Sequence, residues 1–599
     1  MVEDVYEPLA RYRDEYNEAF DKNAHDMFDG FVAESRVDPE ANAKTIAEKK
    51  ALENSRSVLK VKLVLATIYT YGLWIFAAYT LWRTYGNFSD WRDGVTSGWA
   101  WFRMVLWLAT GGGCVALGII TGLPRIARYK DEIAHLDEEI KAKEEEAWRQ
   151  MAPLNALFDW DAVAKLIEKT VPRIVLDRRF AAGRLDDLHT AYGWDDSFNS
   201  EKSVLGAQSG EINGNPFVVV ETLNWRSGTQ TYKGSLKIEW QERVRDSDGD
   251  GWHWTTKRQT LTASVEKFKP EYYNDKRLIY GCTAAPDLNF SRTPSMLSSM
   301  GDGKFATMCK SVSRKGLEHK ARKVDGNFTM VANEEFEVLF HADDRDNERE
   351  FRFLFTPLAQ EQMVRLLKDK SVAWGDDFTF EKKKLINVIT SPHLDAMDIN
   401  TDPSRYADFD FTVIKQNFLS FTKDFFKSFY FSLAPLLTIP AYQQIRSHND
   451  IWKRSFRKQS CFWEHEAMAN YQGEDVFKHP SSATRNILRT RVAQERGEKS
   501  VVEVTAYGYE KIPEVEYVPM RGNDGNMHDV PVEWIRYSPV EKTTPMTVVE
   551  REELALPDFR AAALNGTSEF GSLLRSGRWD APDRYFRRAM LAFVGNPAT

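Results

Sequence analysis

Four short constellations in this chain of 599 residues carry residue types that do chemistry. Cys461 and His465 stand four apart, so on a helix they would share a face, as a thiol–imidazole nucleophile requires. Pairs at this spacing also arise by chance, and no third group orients the imidazole. Glu464-His465-Glu466 has the look of a metalloprotease fragment, but position 469 is Ala and position 470 is Asn, so the second histidine is missing. Gly303-Lys304 lacks the upstream glycine of a phosphate-binding loop, since position 298 is Ser, and Phe305 stands where a hydroxyl is needed. Asp246, Asp248, Asp250 and Gly251 match the opening of a calcium loop. Lys257, however, occupies the place of the closing glutamate and the flanks read as strands, so a plain acidic turn is the expectation. The 11 histidines form no spaced ligand set. No catalytic residue, metal or cofactor is assigned.

The elements around these residues say more about place than about reaction. Leu63–Trp82 and Met104–Leu123 are two apolar runs without a charged residue, each long enough to cross a bilayer as a helix. Lys49, Lys50, Arg56, Lys60 and Lys62 precede the first, and Arg125, Arg128 and Lys130 follow the second. The loop Arg83–Arg103 between them is poorer in positive charge, so both termini are expected in the cytoplasm, with a cell-membrane location. The first run follows a long polar stretch, which argues against a cleaved signal peptide. In the second run Gly112 with Ala116, and Gly118 with Gly122, form small-residue faces. These suit close packing against the first run, or against a second copy of the chain. The competing reading of both runs is a pair of buried core helices.

A mean hydropathy of -0.49 and a formal charge of -8 describe a chain that is mostly aqueous. Nucleic acid is not an expected partner, and four cysteines make no disulfide framework, in keeping with a reducing cytosol. The length predicts more than one lobe beyond the hairpin. The expected fold is α+β: a two-helix transmembrane hairpin with a helical stalk, carrying a strand-rich cytosolic region of two lobes. The segments are amphipathic helices over 1–40, a stalk helix over 41–62, the hairpin over 63–123, a charged stalk helix and connector over 124–178, a first strand-rich lobe over 179–400 and a second α+β lobe over 401–599.

Leu9, Tyr12, Tyr16 and Phe20 make an amphipathic stripe whose apolar face needs a cover, best supplied by the protein's own soluble part. Ile133, Leu136, Ile140 and Ala147 give the second stalk helix a heptad-like stripe. Strands are predicted at Phe217–Glu221, Ser235–Arg245 and Trp252–Val265, with a second hairpin of Phe336–Phe340 and Arg349–Phe355. Thr356-Pro357 starts a helix with Leu358, Met363, Leu366 and Leu367 on its buried face. Val501–Tyr509 and Val530–Tyr537 flank the turn Asn523-Asp-Gly525.

Between Phe409 and Trp463 phenylalanines crowd together, and a basic stretch interleaved with apolar residues follows. Arg446, Trp452, Lys453, Arg454, Arg457 and Lys458 are candidate contacts with anionic lipid. The bland alternative places Phe418–Phe431 in a core beside a solvated charged helix.

The lysine-flanked hairpin, the charged helix after it, Asn213-Gly-Asn-Pro-Phe217-Val-Val-Val and Thr231-Tyr-Lys-Gly234 together resemble a family of two-span bacterial membrane proteins encoded near LemA-type membrane proteins. The likeness covers the hairpin and the first strand-rich region. It implies a bacterial inner membrane and supplies no catalytic residues. The function expected is a membrane-anchored, cytosol-facing interaction or scaffold protein of the cell envelope with a protein partner. The alternative is a membrane-tethered enzyme acting on a lipid or envelope precursor. A channel is disfavoured, because neither run contains an ionisable residue.

Overall fold

A computed structural model describes residues 4–92, 99–159, 161–177, 180, 182–195, 201–245, 252–295, 297–298, 304–322, 328–447, 461–496, 499–550, 584–587 and 590–594. The fold is α+β with antiparallel sheets and two long apolar helices. The helices in chain order begin with α1 (Pro8–Arg11), a π-turn over Tyr12–Tyr16, and α2 (Asn17–Ser35). Then come α3 (Pro39–Arg92), α4 (Ala100–Leu117), a second π-turn over Gly118–Gly122, and α5 (Leu123–Asn155). α6 (Ala162–Thr170) and α7 (Ala182–Thr190) flank β1 (Ile174–Leu176).

α3 runs unbroken for 54 residues, about 80 Å at 1.5 Å per residue. It packs antiparallel to α4 and α5. A Cβ on Gly111, Gly118 or Gly122 would overlap Thr80, Trp74 or Thr70 of α3, so these glycines allow the close approach. Gly118 and Gly122 thus face the first helix, whereas Gly112 and Ala116 point outward and take no part in this packing. Nearer the body the two helices are clamped by Lys143–Glu48 at 2.8 Å, Lys49–Glu144 at 3.2 Å and Arg56–Asp137 at 2.8 Å. Both helices are long and apolar enough to cross a membrane, and only 11% of each apolar window is buried. Ile68, Ile75 and Ile120 are each more than 60% exposed, which removes the buried-core reading of these runs.

The seven-stranded sheet has the order β1-β2-β3-β4-β7-β6-β5, all antiparallel. Its strands are β1, β2 (Ser203–Ile212), β3 (Asn215–Arg245), β4 (Trp252–Gly281), β5 (Asn289–Arg292), β6 (Thr379–Lys383) and β7 (Ile386–Thr390). The run Phe217-Val-Val-Val220 is continuously apolar because both faces of this sheet are covered. Phe217 and Val219 join a large core with α2, α6 and later helices; Val218 and Val220 face α7 and Trp463.

Between β5 and β6 lie α8 (Lys304–Ala321), α9 (Glu334–Phe340), α10 (Glu348–Leu354) and α11 (Pro357–Lys368). The second predicted hairpin is therefore helical. Phe-x-Val-x-Phe satisfies a period of two, but Phe336 and Phe340 are also one helical turn apart and stack at 5.0 Å, and Phe351 and Phe355, equally spaced, meet with tilted rings at 4.6 Å. Asn333 and Asn347 decide it: each accepts a hydrogen bond from the backbone N–H three residues on, from Phe336 and Glu350. The acidic turn between them closes a buried Arg345–Glu337 pair. Thr356 caps α11 as expected, but Leu358 is exposed and the buried face is Ala359, Met363, Leu366 and Leu367.

α12 (Pro392–Ala396) leads to α13 (Phe411–Leu437) and α14 (Pro440–Gln444). α13 covers the N-terminal aromatic stripe: Phe20 stacks on Phe426 at 4.2 Å, and Tyr12 touches Phe426, Tyr430 and Phe431. Tyr430 donates from its hydroxyl to the Pro8 carbonyl at 2.8 Å, and Gln443 exchanges two hydrogen bonds with the Val5 backbone. The core thus joins residues near the N-terminus to residues beyond 400. Asn42 of α3 accepts from the Phe411 N–H and donates to the Phe409 carbonyl, while Asn155 of α5 donates to the Asp408 carbonyl. These bonds fasten the helix pair to the body.

α15 (Phe462–Gln472) and α16 (Glu474–Phe477) precede β8 (Ile487–Arg496), β9 (Lys499–Arg521), β10 (Met527–Glu550), β11 (Arg584–Arg587) and β12 (Met590–Val594). These strands form a second sheet in the order β11-β12-β10-β9-β8. The Asn523–Gly525 turn joins β9 to β10, with Gly525 at φ 86°. Beyond the sheets β3–β4 and β9–β10 continue as two-stranded ribbons that pack on each other through Ile238, Leu261, Val530 and Val532. A Cβ on Gly234 would overlap the Pro531 carbonyl, so the ribbons cross at a glycine.

Phe426→Ala should cost about 3–5 kcal/mol by opening a cavity in the α2–α13 contact, while the half-buried Phe421 should cost less when cut to Ala. Chemical unfolding followed by tryptophan fluorescence reads both; equal, small losses would mean that α13 does not pack as a core helix.

Candidate functional site

Of the six candidate lipid contacts, Arg446 is exposed just after α14. Trp452, Lys453, Arg454, Arg457 and Lys458 lie outside the described residues, as does the acidic turn Asp246–Gly251. The phenylalanines upstream form part of the core: Phe418, Phe425, Phe426, Phe429 and Phe431 are all buried.

Cys461 and His465 bracket the start of α15, where the His465 N–H donates to the Cys461 carbonyl at 3.1 Å. Cys461 retains some surface, yet desolvation, with the nearby Glu464 carboxylate, pushes its thiol well above the ordinary value. Burial pulls the His465 imidazole down to about 4. Both groups are neutral near pH 7, so no thiolate–imidazolium pair forms. The neighbours Glu464 and Glu466 are also buried, because α15 is wedged between the two sheets. Glu466 accepts from the Val204 N–H of β2 at 3.0 Å and pairs with Arg489 of β8 at 3.4 Å. This glutamate holds strands together.

One constellation has no counterpart in the linear motifs. Asp377, Ser391 and His393 converge at the start of α12: His393 Nδ1 lies 2.6 Å from Asp377 Oδ2, and Nε2 lies 3.3 Å from Ser391 Oγ. With Nδ1–H donated to the carboxylate, Nε2 accepts the serine proton, the protonation pattern of a nucleophilic serine. The surroundings are those of a clamp instead. Ser391 caps α12 by accepting the Leu394 N–H at 3.2 Å, it is 3% exposed, and the Trp374 ring lies flat on His393 at 4.4 Å. The signal in the sequence is the capping serine followed by Pro392; Asp377 reaches it only through the β6–β7 hairpin.

A cleft of about 750 Å³ lies at the root of the β3–β4 ribbon, where it faces the outer side of the second sheet. Trp225 and Tyr272, register partners on β3 and β4, form one wall. Ile487, Tyr507 and Glu541 form a cross-strand row opposite, flanked by Arg489, Tyr509 and Pro539, with Glu201 also lining the space. Strand alternation explains the set: Val502, Val504 and Ala506 of β9 point into the core against α15, which sends Tyr507 and Tyr509 to the other face. Trp225 meets Tyr509 edge-on at 6.0 Å, and Tyr272 and the Thr484 hydroxyl lie 3.2 Å apart. Desolvation raises the hydroxyl pKa of both Tyr272 and Tyr509, so they stay protonated at neutral pH. Two tyrosines at i and i+2 opposite an apolar face are the sequence trace of this cleft; its second wall comes from strands more than 200 residues away.

No family model matches this chain, and no curated protein or solved structure matches it.

The clamp reading predicts that a fluorophosphonate probe leaves Ser391 unmodified and that Ser391→Ala costs about 1 kcal/mol through loss of the cap. A labelled Ser391 peptide in mass mapping would make it a nucleophile. His465 predicts an acid sensitivity of definite sign. The unfolded imidazole takes a proton near pH 6.5 and the folded one only near 4, so stability falls as pH drops through that window, by up to about 3 kcal/mol. His465→Gln should flatten the fall of the urea midpoint between pH 7 and pH 4.5; an unchanged slope would assign it to other groups.

Proposed function

We propose that this protein is anchored in a cell membrane by α3 and α4 as a two-span hairpin, and that it presents the α+β body to the cytosol as an interaction or scaffold protein of the cell envelope. One observation carries the reading. Two helices clasped by the body at Asn42 and Asn155 continue without a break into apolar runs whose surfaces nothing in the described chain covers. Lipid is the cover that suits side chains such as Ile75 and Ile120, because leaving them in water would cost about 25 cal/mol per Å² of apolar surface.

The ion pairs between α3 and α5 support a stiff spacer. From Lys50, which faces Asp410 of the body, to Leu63 is a rise of about 20 Å along α3. The body would stand off the bilayer by that distance. The flanking lysines and arginines favour cytoplasmic ends. The two sheets, with their separate cores, support a body of two lobes whose outer faces meet a protein partner.

Single cysteines test the orientation in intact cells. A cysteine at Ser89 should react with an impermeant maleimide, whereas one at the exposed Ser235 should stay unlabelled until the cells are opened. The reverse pattern would invert the topology. Release of the chain by carbonate washing would remove the anchor altogether.

A further inference from the structure

The cleft between the β3–β4 ribbon and the second sheet has a chemistry of its own, and what it binds goes beyond the anchoring proposed above. Its walls are aromatic. Trp225 and Tyr272 stand on one side, Tyr507 and Tyr509 on the other, and Tyr507 is 45% exposed, so its ring is open to a ligand. Two carboxylates, Glu201 and Glu541, line the same space, and both are exposed. Among the described residues the one cationic lining residue, Arg489, is engaged by Glu466, whose carboxylate is fully buried behind it. The lining therefore carries two glutamates with one arginine already balanced from behind.

Those features select a ligand by charge and shape. An anion would face two carboxylates. An uncharged apolar group would displace water from them and offer no charge in return. A cation with a wide, weakly hydrated surface can lie on the aromatic faces while its charge is met by the carboxylates. A volume of about 750 Å³ lies within the range of clefts that hold a small molecule or a side chain and its neighbours. We propose that this cleft binds an organic cation, a guanidinium or alkylammonium group, between Trp225 and Tyr507 with Glu541 and Glu201 as its counter-charges. The group can belong to a free small molecule or to an arginine or lysine side chain of a protein partner. In either case Trp225 and Tyr507 provide the stacking surface and Glu541, in the row Ile487–Tyr507–Glu541, fixes the cation's position over the Tyr507 ring.

Isothermal titration of the full chain in a non-ionic detergent tests this without reference to membrane orientation. Four probes are used: tetramethylammonium chloride and arginine amide as free cations, a capped hexapeptide Gly-Gly-Lys-Arg-Gly-Gly as the side-chain form, and inorganic phosphate as the anion. The expected result is saturable binding of at least one cationic probe, weakened by added salt, with none for phosphate. Glu541→Gln and Tyr507→Leu, both at exposed positions, should each weaken it about tenfold. Trp225→Leu should do the same, and if that variant fails to fold the other two decide. A peptide bound tenfold or more tighter than arginine amide identifies a partner's side chain, and equal or weaker peptide binding identifies a free cation. The proposal is overturned by absence of saturable binding for every cationic probe, by binding that Glu541→Gln and Tyr507→Leu leave unchanged, or by preferential binding of phosphate.

Discussion

The fold turns on a carboxylate placed where water cannot reach it. Glu466 sits on α15 between the two sheets, takes the backbone N–H of Val204 from one and the guanidinium of Arg489 from the other. Removing one partner of such a group leaves a buried charge uncompensated, which costs several kcal/mol, so the spacing between β2 and β8 is held within narrow limits. α15 has no solvent face to speak of: Trp463 and Ala467 belong to the core under the first sheet, Met468 and Ala469 to that under the second. Asn470 adds two hydrogen bonds to Ser203 and Val204. Everything on the far side of the second sheet, including the distance from Tyr507 to Trp225, inherits its position from this wedge.

The other end of the molecule is organised by rings rather than charges. Tyr12, Phe20 and Phe28 meet Phe426, Tyr430 and Phe418, and the same α13 face continues to Phe158 at the foot of α5. The helix pair is joined to this aromatic block through Trp148 and Phe409, at 5.8 Å, and by the Asn42 and Asn155 hydrogen bonds. A pull on the helices is therefore delivered to the segment that caps α13 and, through Met151 and Leu154 of α5, to the large core.

How much of this was legible in the sequence depended on whether the deciding contacts were local. The two apolar runs, the Thr356 cap and the Asn523–Gly525 turn are local statements and read directly. The stripe of Tyr12, Tyr16 and Phe20 announced an apolar face, and its cover proved to be the chain's own α13. Phe336–Phe340 was misread because its pattern fits both periods, and the asparagine caps that separate them were passed over. Gly112 and Ala116 lie off the contact with α3 for a related reason: four-residue spacing picks out several faces of a helix, and only contact with Thr70, Trp74 and Thr80 shows which one meets the first helix. The ribbons were seen only in part, since segments such as Arg226–Lys233 are polar on both sides and carry no alternation. The cleft is assembled from strands distant in the chain, and the Asp377–His393–Ser391 clamp closes only when β6 and β7 pair, so no spacing rule reaches either.

The bond from Tyr430 to the Pro8 carbonyl joins residues 422 apart. At ordinary rates of protein synthesis, roughly 5–20 residues per second, about 20–80 s pass between the emergence of the first and of the second. Through that interval the aromatic face of α2 has been made and its partner has not. The apolar runs of α3 and α4 emerge early in the same interval, less than a quarter of the way along the chain. Biosynthesis thus presents two apolar surfaces in succession: the runs that the proposed anchor would give to lipid, and an aromatic face whose cover arrives only with α13. The order of the segments leaves the N-terminal aromatic face without its native cover until α13 is made.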